Sequence, residues 1–139
     1  MRLLRFVCVS LFVVCVAPGV AMGQGEPPMI NEPLTPRPAI ECRDDCRPDR
    51  RARVALTIGC PADASFACKG DVWIAKGRRA QFAVEPGESA SVKAELDRGL
   101  RKRLDRRRTL KTHVHVWAYG GWHALELTER VTLRARRGG

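Results

Sequence analysis

From residue 53 onward, apolar side chains return at every second position. Val54, Leu56 and Ile58 alternate with Ala55 and Thr57, and Ala80, Phe82 and Val84 with Gln81 and Ala83. Val114, Val116 and Ala118 alternate with His113, His115 and Trp117. Val72 and Ile74 flank Trp73, the stretch 89–96 repeats the pattern, and Leu125, Leu127, Val131 and Leu133 close it. Successive side chains on a strand point to opposite faces, so this alternation describes strands with one buried face. Turn signals separate the runs at Lys76-Gly77, Glu85-Pro86-Gly87 and Gly120-Gly121. Six or seven short strands at this spacing predict an all-β, two-sheet sandwich. One segment breaks the rhythm. DRGLRKRLDRRR, residues 97–108, sets Leu100 and Leu104 four apart after Leu96. That is one helical stripe, and it predicts a short helical crossover at about 97–107.

The start of the chain has a different character. Arg2 and Arg5 precede an almost wholly apolar run from Leu3 to Ala17, followed by Gly19, Ala21 and Gly23. A positive start, an apolar run of about 15 residues and small residues at the end predict a secretory signal peptide over 1–23. The run is shorter than the roughly 20 residues a membrane span needs. Cleavage would leave a start near Gln24 and an extracytoplasmic protein, secreted or held at the cell surface. No transmembrane segment is expected.

Export bears on the cysteines. Cys8 and Cys15 lie in the leader, and Cys42, Cys46, Cys60 and Cys68 remain. An even number in a short exported chain points to disulfides, and four cysteines allow three pairings. Locality favours Cys60 with Cys68 and Cys42 with Cys46. A structural zinc site would more often use a C-x2-C pair, where these gaps are x3 and x7. A redox motif would need C-x-x-C.

Residues 24–40 hold Pro27, Pro28, Pro33, Pro36 and Pro38. Prolines remove backbone donors and fix φ, so this reads as an extended linker. Residues 41–53, ECRDDCRPDRRAR, read as a polar tether. The expected organisation is therefore a signal peptide at 1–23, a linker at 24–52 and a β-sandwich domain at 53–137.

Several stretches together resemble a known module. V-x-L-x-I-x-C-P at 54–61 is followed by A-C-K-G at 67–70, G-R-R-A-x-F at 77–82 and V-x-A-x-L at 92–96. A basic turn, a strand at 110–119 and a closing V-T-L-R at 131–134 complete the series. This order resembles a bacterial Ig-like, fibronectin type III-like β-sandwich module of secreted and cell-surface proteins. The resemblance covers residues 53–135, and A-Y-G-G-W at 118–122 departs from it. It implies a bridge between Cys60 and Cys68 and a structural or interaction role of the adhesion type. It implies no catalytic residues.

The chemistry-bearing residues are few. His113 and His115 share a strand face, and an H-x-H pair can bind metal. A two-residue Gly120-Gly121 turn would set His115 opposite Glu126 and His113 opposite Thr128. It would leave His123 on the other face, so the simpler reading is a solvated pair. There is no G-x-S-x-G, no H-E-x-x-H and no phosphate loop. The expectation is a non-enzyme with no catalytic residue, metal or cofactor. A small metal-binding protein or enzyme built on the histidines ranks last.

Two surfaces could bind. After residue 23 the chain has 23 Arg and Lys against 15 Asp and Glu, a net charge of +8. Eight of the cations fall within 98–111, among them Arg106, Arg107 and Arg108. Such a patch attracts polyanions: wall polymers, anionic glycans or lipid head groups. Arg outnumbers Lys 20 to 5, so codon bias toward Arg gives a plainer account. The second surface is aromatic: Trp117, Tyr119 and Trp122 would join His115 on one face of the last hairpin. Exposed aromatics can stack on sugar rings or cover a partner protein. The leading expectation is an exported, non-catalytic β-sandwich that acts as an adhesion-type module. The alternative is a carbohydrate- or polyanion-binding module. Expected partners are cell-wall or anionic glycans or another surface protein, rather than nucleic acid.

Overall fold

A computed structural model of the chain describes residues 35–121 and 123–137. The expected signal peptide, the first part of the expected linker and Trp122 lie outside the described residues. Seven strands form two antiparallel sheets. The first has the order β1-β2-β5, with β1 Ala39–Cys42, β2 Arg53–Gly59 and β5 Ser89–Glu95. The second has the order β4-β3-β6-β7, with β3 Cys68–Ile74, β4 Ala80–Val84, β6 Thr109–Tyr119 and β7 Leu125–Arg134. A ten-residue helix, α1, spans Arg98–Arg107 and carries the chain from β5 in one sheet to β6 in the other. The protein is thus a two-sheet β-sandwich with a short helical crossover.

The alternation decides which faces meet. Val54, Leu56 and Ile58 of β2 are fully buried, as are Val72 and Ile74 of β3 and Val114 and Val116 of β6. Leu100 and Leu104 of α1 belong to the same core. Removing these side chains from water is the main favourable term, at about 1.5–3 kcal/mol for each large aliphatic group.

The helix has defined ends. Asp97 accepts a hydrogen bond from the Leu100 N–H at 2.8 Å. Arg108 takes a left-handed conformation (φ 63°), and its N–H donates to the Leu104 carbonyl at 2.8 Å. Gly99 in the first turn weakens the helix, so the cap carries more of its stability. Asp97→Ala is expected to cost about 1 kcal/mol in urea unfolding.

Both local cysteine pairs are bonded. Cys60–Cys68 has a Cα separation of 5.6 Å and Cys42–Cys46 one of 5.1 Å. Cys60 follows the last residue of β2, and Cys68 opens β3 in the other sheet. The bridge therefore ties one sheet to the other across a short surface loop.

Two expectations need correction. Residues 39–46, read as linker and tether, are built into the domain. Ala39–Cys42 pair with Leu56–Gly59 of β2, Pro36 and Pro38 are buried, and Cys46 joins the core. The prolines lead into a short strand instead of preventing one. The last hairpin also differs from a two-residue turn. Ala118 pairs with Leu125, Trp117 with Glu126, His115 with Thr128 and His113 with Arg130. The longer loop shifts the register by two positions, which leaves the paired side chains of β6 and β7 on their expected faces and puts His123 in the loop. The Thr35 side chain spans this loop. It accepts from the Gly121 N–H at 3.2 Å and donates to the His123 carbonyl.

A candidate ligand-binding face and a basic pole

The outer face of the four-stranded sheet holds the aromatic residues. Val72 and Ile74 of β3 and Val114, Val116 and Ala118 of β6 face inward, so the alternating Trp73, His115, Trp117 and Tyr119 point outward. Trp73 pairs with His115 and Asp71 with Trp117, which sets the two tryptophans diagonally on neighbouring strands. Diagonal neighbours on one face lie about 7–8 Å apart, within reach of indole rings. Trp117 is 43% exposed and Tyr119 42%, whereas Trp73 is half-buried.

Arg79, from the turn before β4, reaches over this face. Its guanidinium carbon lies 4.4 Å from the Trp73 ring centroid and 5.6 Å from that of Trp117. Cations favour the negative faces of indoles, so this placement holds the arginine down. Trp73 also stacks on His115, with centroids 5.4 Å apart and an interplanar angle of 18°. Trp73, Arg79, Trp117 and Glu126 line an open cleft of about 250 Å³. That is below the roughly 300–1,000 Å³ of pockets for drug-sized ligands, so the cleft suits one ring-sized group.

These contacts separate structural from available side chains. Trp73 touches both His115 and Arg79 and acts as the packed member. Trp117 and Tyr119 keep open ring surface. The histidines do not gather ligands: His113 and His115 have ring centroids 6.4 Å apart, and Nδ1 of His115 lies 3.3 Å from Oγ1 of Thr128. Among the described residues, no group of three or more His, Cys, Asp or Glu side chains is placed to hold a metal ion.

Arg106, Arg107 and Arg108 lie elsewhere. They form the end and cap of α1, and all are exposed. Arg108 and Trp117 are nine positions apart along β6 and its entry, about 30 Å. The two sets of candidate residues therefore occupy different surfaces. At the helix end, Arg50, Arg101 and Arg136 line one cleft, with Asp49 and Asp105. Lys76 and Arg103 line another on the opposite flank of α1, with Asp97. Asp49 is already engaged: it accepts from the N–H groups of Arg51 and Arg53 and pairs with the Arg53 guanidinium at 2.9 Å. Partial burial pushes its carboxyl up, but the Arg53 and Arg51 hydrogen bonds outweigh this and hold it below the ordinary carboxylate value.

Trp73 and Arg79 were missed as site residues from the sequence. The alternation around Val72 and Ile74 already turned Trp73 outward. Nothing local marked Arg79, because its contacts cross between strands. No described helix is long and apolar enough to cross a membrane. No family model, curated protein or solved structure matches the chain.

Proposed function

We propose that this protein is an exported, non-catalytic β-sandwich of the bacterial Ig-like type, and that it works at the cell surface as a carbohydrate-binding interaction module. The observation that carries this reading is the open surface of Trp117 and Tyr119 beside the Arg79–Glu126 cleft. Stacking on sugar C–H faces needs exposed rings on a rigid support, and a strand core supplies that rigidity. The cleft adds one donor-rich group, Arg79, and one acceptor, Glu126. Such a pair can orient a single sugar residue through its hydroxyl or carboxyl groups. The two short-range disulfides agree with an oxidising compartment.

The test is a glycan array probed with the processed protein, followed by titration of any bound glycan against variants. Trp117→Ala is expected to weaken binding about fivefold, and the double variant with Tyr119→Ala about thirtyfold, at about 1 kcal/mol per stacked ring. The unfolding midpoint should stay within the range of ordinary surface substitutions, about 0.5 kcal/mol. Unfolding of Trp117→Ala would return this ring to the core and leave a purely structural module. So would the absence of any bound glycan on a broad array.

A further inference from the structure

The helix end of the sandwich carries a charge distribution unlike the rest of the surface. Leu100 and Leu104 face inward, so Arg98, Lys102 and Arg106, each four residues apart, form the crest of α1. Arg101 with Arg50 and Arg136 occupies one flank, and Arg103 with Lys76 the other. The chain converges here through backbone hydrogen bonds: the Leu96 N–H donates to the Ala52 carbonyl and the Ala135 N–H to the Arg108 carbonyl.

Of the three carboxylates that line the two clefts, two are engaged within the fold, which leaves Asp105 alone against the eight cations just named. Asp97 is spent on the helix cap and Asp49 on Arg53. Among the described residues, none of the six Arg and Lys of α1 forms an ion pair. Like charges held together without partners repel one another, and an external anionic surface relieves that repulsion.

We infer that this pole docks the protein onto an anionic phospholipid surface, a function separate from the aromatic face. Three features select that occupant. The cations cover a crest and both flanks instead of lining one groove, so they match a plane of headgroups better than a single polymer chain. Most are arginines, whose planar donors fit phosphate oxygens in pairs. The exposed face of α1 has no apolar side chain, because both leucines point into the core. Docking is therefore electrostatic and peripheral, without insertion into the hydrocarbon.

The experiment is sedimentation of the processed protein with vesicles of phosphatidylcholine, with and without phosphatidylglycerol. Binding is expected only to the anionic vesicles. It should be released between 0.1 and 1 M salt, as the screening length falls from about 10 to 3 Å. The triple variant Arg101→Gln, Lys102→Gln, Arg106→Gln should bind about a hundredfold more weakly, at roughly fivefold per cation removed. Gln keeps helix propensity. If that variant fails to fold, Arg50→Gln with Arg136→Gln lies off the helix and should still weaken binding about twentyfold. Trp117→Ala should leave vesicle binding unchanged, which separates this result from the glycan test. Equal binding to neutral vesicles, survival in 1 M salt or indifference to the substitutions would overturn the inference. Tighter binding of soluble heparin through the same residues would also overturn it, in favour of a polysaccharide.

Discussion

Gly70→Ala is expected to lower the stability of the domain by about 3 kcal/mol, among the largest effects of any single methyl group added to this chain. Gly70 sits in the middle of β3, opposite Phe82 of β4 and Ala118 of β6. A Cβ there would lie 2.2 Å from the Trp117 carbonyl oxygen, 3.0 Å from the Ala118 Cα and 3.0 Å from the Phe82 ring. Two of these three neighbours are backbone atoms and cannot turn aside as a side chain can. The central ladder of the sheet would have to part. Glycine in a strand often marks such a close approach. For a domain of this size the loss corresponds to a fall of roughly 15 °C in the unfolding midpoint. Calorimetry measures it directly. Adding Phe82→Leu relieves only the ring contact and is not expected to restore the midpoint. An unchanged midpoint in Gly70→Ala would show that β3 and β6 can separate at little cost.

The second large effect concerns the staple between the sheets. Replacing Cys60 and Cys68 together by Ala is expected to cost about 2–4 kcal/mol. Closing a loop of about nine residues removes close to 2.5 kcal/mol of unfolded-chain entropy. Both cysteines are buried, at 6% and 1% exposure, so the two freed methyl groups stay in the core without adding a buried polar group. Urea unfolding of the double variant, with Cys42 and Cys46 intact, isolates this bridge. A loss well under 1 kcal/mol would mean that packing between the two sheets alone holds them together.

The strands were legible because burial on one face writes itself into every second residue. Val54, Leu56 and Ile58 announce β2, and Leu100 with Leu104 announces α1, in each case by spacing alone. The bridges followed from locality, since cysteines close in sequence are rarely far apart in space. β1 was not legible. Four residues are too few for a period to show, and the prolines around them carry the composition of a linker. The hairpin register was hidden for another reason. Gly120-Gly121 looks like a tight turn, but Thr35, more than eighty residues earlier, grips the loop and holds it longer. The candidate face was half visible. Trp117 and Tyr119 stood out by alternation, whereas the position of Arg79 above Trp73 depends on strand pairing that no local pattern records.

The position of β1 bears on how copies of this protein behave toward one another. Without β1, the seven residues of β2 would present an unpaired row of N–H and C=O groups at the margin of the first sheet. A long, regular margin of that kind recruits strands from other molecules and seeds aggregation. β1 occupies it and offers in exchange a margin only four residues long. Pro38, which has no N–H to give, precedes that margin, and the turn closed by Cys42–Cys46 ends it. The short covalent loop near the start of the domain therefore adds to the ladder that keeps β1 over β2, and so helps to limit association.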